Sequence, residues 1–165
     1  MLVMVSRRRG VGVGLGVCIA LLLLPVSMLE LTADGGTHRE VLSAFGETSV
    51  TLSYVHSVEK TRVEEEYQVG PSGIVMQSMT WQSFGAGLPD DYDECVDGRY
   101  VKQMDSRLGK TLSYWFLPVN NVRLDIGAKR VFEGPEREST MTLSVERLPL
   151  GIYLVSSARN SHVPL

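Results

Sequence analysis

Val50-Thr51-Leu52-Ser53-Tyr54-Val55-His56 and, after a short polar break, Val63-Glu64-Glu65-Glu66-Tyr67-Gln68-Val69 decide the fold. In both stretches bulky side chains take every second position, the period of a half-buried strand and not of a helix. With Val58-Glu59-Lys60-Thr61 as the turn region, His56 is expected to face Val63, Tyr54 to face Glu65, Leu52 to face Tyr67, and Val50 to face Val69. That register gathers Val50, Leu52, Tyr54, His56, Val63, Glu65, Tyr67 and Val69 on one face. A one-residue slip would send one strand's apolar set into water, so the choice of face is well specified. Glu64 and Glu66 point the other way.

Working outward, the same alternation recurs. Ile74, Met76 and Ser78 follow a Pro71-Ser72-Gly73 turn, and further runs lie at Tyr100-Val101, 111–117, 122–126 and 141–145. Short runs separated by Gly, Pro, Asn and Asp predict an all-β domain, a small antiparallel sandwich or barrel over residues 41–156. No amphipathic helix is expected after residue 40. Residues 85–97 form the longest predicted loop, and 157–165 a polar tail.

The N-terminus has another character. Arg7, Arg8 and Arg9 precede an apolar stretch over residues 11–29, and no acid occurs before Glu30. Basic residues ahead of an apolar run are the layout of an export signal or membrane anchor, with the remainder translocated. Residues 1–30 are therefore expected to be a signal peptide or anchor, membrane-associated through 11–29, and 31–40 a linker. Cleavage after Ala33 would place Leu31 where a small residue is wanted, so cleaved and retained forms both stand. The remaining chain carries 13 basic and 19 acidic residues, which argues against a nucleic-acid-binding surface. Two cysteines make neither a disulfide framework nor a four-thiolate zinc site. Cys18 falls inside the apolar stretch, and Cys95 is expected to be a tolerated free thiol.

Several residues could carry chemistry. His56 and Glu65, diagonal neighbours on the apolar face beside Tyr54, could act as an acid/base pair or as two metal ligands, or form a satisfied polar patch. Ser57 adjoins His56 in sequence, but adjacent strand residues point to opposite faces, and no Gly-x-Ser-x-Gly elbow is present. Asp90, Asp91, Asp93, Glu94 and Asp97 form an acidic loop without EF-hand spacing. Phe84-Gly85-Ala86-Gly87-Leu88-Pro89 could form an anion-binding nest or simply a tight turn. No cofactor motif is present.

Two stretches together are more specific. Residues 54–65 (YVHSVEKTRVEE) and 83–89 (SFGAGLP) resemble the signature segments of a small exported prokaryotic family, domain of unknown function number eighteen-fifty. The resemblance runs over roughly residues 40–150. Arg62 stands where that family usually has Pro. It implies no enzymatic activity, but it does imply a context, since members are commonly encoded beside TAXI-type TRAP transporters. The expectation is an extracytoplasmic accessory module in the cell envelope, contacting the transporter permease or solute-binding protein. Its binding residues would be His56, Ser57, Glu59, Lys60, Thr61, Glu65, Gly85, Gly87 and Pro89. The rival expectation is a small enzyme or metal-binding hydrolase using His56 and Glu65.

Overall fold

The computed structural model describes residues 6–33, 35–41 and 46–160. The chain divides into two compact units, one of residues 27–146 and one of residues 1–26 with 147–165.

The larger unit is an antiparallel β-sandwich. Its seven-stranded sheet has the order β10-β9-β3-β4-β5-β7-β6. These are β3 Thr48–Val55, β4 Arg62–Gly70, β5 Gly73–Trp81, β6 Glu94–Val96, β7 Arg99–Gly109, β9 Val122–Ile126 and β10 Lys129–Gly134. The four-stranded sheet has the order β2-β1-β11-β8, from β1 Pro25–Ala33, β2 Gly36–Val41, β8 Thr111–Phe116 and β11 Ser139–Pro149. The core between the sheets is made by alternate residues of each strand. Val50 and Leu52 of β3, Val63, Tyr67 and Val69 of β4, and Leu124 of β9 meet Phe116, Met141 and Leu143 of the other sheet. Sandwich is thus the realised form of the all-β expectation.

The β3–β4 hairpin buries the predicted face, with a register two residues away from the predicted one. Tyr54 pairs with Val63, Leu52 with Glu65 and Val50 with Tyr67. The turn begins one residue early because His56 and Thr61 close the loop. The His56 N–H donates to Thr61 O at 2.8 Å, and the Lys60 N–H donates to His56 O at 3.0 Å. Lys60 takes φ 58°, the left-handed conformation that lets four residues reverse the chain. A shift of two conserves which face each residue occupies. At the other end of β4, Gly73 (φ 137°) has no room for a side chain, since a Cβ there would lie 2.4 Å from Gly109 O.

Two expectations change, at residues 25–41 and at the C-terminal end. Residues 25–41 are not the end of an apolar segment followed by a linker: β1 and β2 pair antiparallel from Met28–Val41 to Ala33–Gly36. Leu29, Leu31 and Ala33 are buried in the sandwich core. Pro25 ends the helical geometry before it, and the alternation Leu29, Leu31, Ala33 suits a strand. The N-terminal helix α1 is Ser6–Leu22, and among the described residues no helix is long and apolar enough to cross a membrane. The second change is a helix, α2 Leu150–Asn160, which replaces the end of the predicted domain and the start of the polar tail.

Candidate functional site

Glu65 lies inside the sandwich, 2% exposed. Three tyrosines from both sheets surround its carboxylate. The Tyr54 hydroxyl on β3 donates to Oε1 at 2.9 Å, and those of Tyr67 on β4 and Tyr114 on β8 donate to Oε2. The Tyr67 and Tyr114 oxygens are 2.6 Å apart. Burial, and then the adjacent Glu65 carboxylate, hold all three phenols well above the ordinary tyrosine range, so they remain donors. A buried acid must be compensated, and here the compensation also ties one sheet to the other. A bulge between Glu66 and Tyr67 in the β4–β5 pairing locally twists the strand that carries two of these groups.

His56 does not join this cluster. Its Nδ1 accepts the Glu59 N–H at 3.1 Å, which leaves Nε2 to donate to Ala86 O, also at 3.1 Å. The predicted His56–Glu65 pair is therefore not formed: His56 has passed beyond the end of β3, and Glu65 is occupied by tyrosines. Among the described residues no cluster of three or more His, Cys, Asp or Glu is placed to hold a metal ion.

What His56 does is join the two signature stretches. Its ring bonds the 84–89 loop, and Gly85 lies so close to the hairpin turn that a Cβ there would sit 2.5 Å from Glu59 Oε1. A side chain at 85 would have to displace the flexible Glu59 side chain, while Gly87 (φ 84°) is the one needed for backbone conformation. The Leu88 N–H is spent on Gly85 O at 3.1 Å, so this is a closed turn and not an open nest of donors. Behind the loop, Phe84 packs on Tyr100 with ring centroids 4.6 Å apart, and Tyr100 on Tyr92 at 4.8 Å. The Lys60 amine bends back to Ser57 O, and the Thr61 hydroxyl is buried without a partner. The acidic loop is solvated and tied down: Lys102 pairs with Asp91, holding that carboxyl below its usual range, and Asp93 accepts the Gln103 N–H at 2.6 Å.

A cleft of about 270 Å³ opens beside the turn, lined by Tyr54, His56, Ser57, Tyr114, Trp115, Phe116, Leu117 and Asn120. Tyr114 stacks on Phe116 at 5.5 Å, and Tyr54 lies 5.5 Å from Phe116. Asn120 fixes the rim by accepting the Leu117 N–H at 2.8 Å and donating to Val55 O at 2.9 Å. Sequence reasoning brought Tyr54, His56 and Ser57 to this place but missed Tyr114, Trp115 and Asn120. The run at 111–117 marked a strand, yet nothing local in it shows that it closes over the β3–β4 hairpin. Val58 in the turn, Phe84 in the loop and Trp115 at the cleft are all exposed.

The fold and this end surface define a β-sandwich whose paired loops, and not its core, are presented outward. Residues 50–132, half of the chain, match the family described as Domain of unknown function (DUF1850), and the chain belongs to that family. No curated protein and no solved structure matches it.

Proposed function

We propose that this protein is an extracytoplasmic, membrane-associated accessory module of a TRAP-type (TAXI) solute transporter that binds and does not catalyse. The observation that carries the reading is the junction of the two signature stretches: the His56–Ala86 hydrogen bond and the Glu59–Gly85 contact unite the hairpin turn and the glycine loop into one surface. Exposed Val58, Phe84 and Trp115 give it apolar contacts of the kind that protein interfaces bury. Glu59 reaches the loop from an exposed turn, where many polar residues would serve a purely structural turn equally well. The genomic context implied by the family supplies the partner class, the permease or the solute-binding protein. The N-terminal segment around α1 would keep the domain at the membrane.

Co-purification tests the reading. A tagged full-length chain, expressed with the adjacent transporter genes, is expected to retain the permease or the solute-binding protein. Glu59→Ala and Lys60→Ala are expected to lose that partner while melting like the parent. Retention of neither transporter component would defeat the proposal.

A further inference from the structure

The smaller unit has a surface that the sandwich does not explain. α1 exposes Leu15, Val17, Ile19 and Leu21, which do not fall on one side of the helix. A helix that is apolar all round belongs in apolar surroundings, not in water. α2 begins against the end of α1: the Leu150 N–H donates to Leu24 O at 2.9 Å. A Cβ on Gly151 would lie 3.2 Å from Leu22 O, so the small residue there permits the close approach. α2 then exposes Ile152, Leu154 and Val155 in its own right.

Charge follows the same division. Residues 1–26 and 147–165 contain Arg7, Arg8, Arg9, Arg147 and Arg159 and no Asp or Glu. The other 11 basic and all 19 acidic residues therefore lie in 27–146, which leaves that unit at −8. A unit with exposed apolar residues whose only charged residues are arginines complements an anionic lipid bilayer, where apolar burial and headgroup attraction act together.

We propose that α2 is a second membrane-contacting element, seated with α1 in an anionic phospholipid bilayer; this rests on the reading that α1 meets the membrane. The geometry supplies the reason. The first turn of α2 is bonded to Leu24 O and packs closely on Leu22, so wherever the C-terminal end of α1 sits in the bilayer, Leu150 and Gly151 sit at the same depth. α2 is about 16 Å long at 1.5 Å per residue, too short to span about 30 Å of hydrocarbon, so it lies at the headgroup boundary.

Fluorescence quenching tests this on the full chain in a Cys18→Ser, Cys95→Ser background. Single labels with an environment-sensitive dye go at Leu21→Cys, Leu154→Cys and Glu133→Cys, the last on β10 as the aqueous reference. The probe is a vesicle of equal parts phosphatidylcholine and phosphatidylglycerol carrying nitroxide on the acyl chains. The labels at positions 21 and 154 are expected to shift to the blue and lose most of their emission, and the label at 133 neither. Omitting phosphatidylglycerol is expected to weaken binding roughly tenfold or more, as several arginines near an anionic surface require. Quenching at 21 without quenching at 154 overturns this proposal and leaves the α1 reading standing. Absence of quenching at both removes the membrane reading itself. Quenching at 154 only with a co-purified permease also overturns it, because a protein and not lipid would then cover α2.

Discussion

Tyr67→Phe removes one oxygen from the centre of the sandwich and leaves the ring in place. The Tyr67 side chain is 1% exposed, and its hydroxyl touches both Glu65 Oε2 and the Tyr114 hydroxyl. A hydrogen bond to a charged group contributes about 1.5–3 kcal/mol, and losing it here leaves a buried carboxylate with one donor fewer. Tyr114 still donates to the same oxygen, so the low half of that range applies, about 2 kcal/mol. For a domain of this size that corresponds to a fall in Tm of about 6–10 °C. Tyr92→Phe, in a half-exposed ring on the loop side, is the control and should melt within about 0.5 kcal/mol of the parent. Urea and thermal unfolding followed by tryptophan fluorescence measure both. If Tyr67→Phe is as stable as Tyr92→Phe, the tyrosine–glutamate cluster is not what joins the sheets, and the reasoning about Glu65 fails with it.

The same cluster predicts a steep alkaline limit. Phenols titrate near 10 when unfolded and well above that here, so the unfolded state loses protons first and stability falls as pH rises past 10, by about 1.4 kcal/mol per pH unit for each phenol and about 4 for the three. Urea titrations at stepped pH check it; a stability flat between pH 10 and 11 would contradict it. Gly85→Ala should cost at most about 1 kcal/mol, because the added methyl displaces the flexible Glu59 side chain, and Glu59→Ala in the same chain should remove that cost; a loss that Glu59→Ala leaves unchanged would mean the two segments are not in contact. Leu31→Ala should destabilise by about 2–5 kcal/mol, and a chain starting at residue 41 should fail to fold where one starting at Pro25 succeeds, because β1 supplies core side chains. A folded, cooperative 41–160 fragment by circular dichroism would show that β1 is dispensable.

What was legible in the chain, and what was not, follows from the range of the interactions. The inner face of the β3–β4 hairpin could be read because Val50, Leu52, Val63, Tyr67 and Val69 alternate locally. Its register could not, because the turn is set by Lys60 in a left-handed conformation, with no Gly or Asn to mark it. Leu29 and Leu31 stand in one apolar run with Leu21–Leu24, and hydrophobicity alone does not separate residues meant for a core from residues left outside it. Pro25 was the local sign that the two differ. α2 escaped because Leu150, Ile152 and Leu154 also fit a period of two, and what sets its place is a contact with residues 22–24 across the whole chain. The candidate site shows the same limit. Glu65 could be seen to be buried and in need of partners, but Tyr114, its partner from the other sheet, is identified only once the sheets are stacked. The consequence is a division within the signature stretch itself. Tyr54 and Glu65 turn inward and hold the sandwich, whereas Ser57, Val58, Glu59 and Lys60 contribute nothing to the buried core, and Glu59 meets the glycine loop at the end of the hairpin. Stability and partner capture should therefore separate along one hairpin. Substitutions at its base should move the melt, and substitutions at its tip should move binding alone.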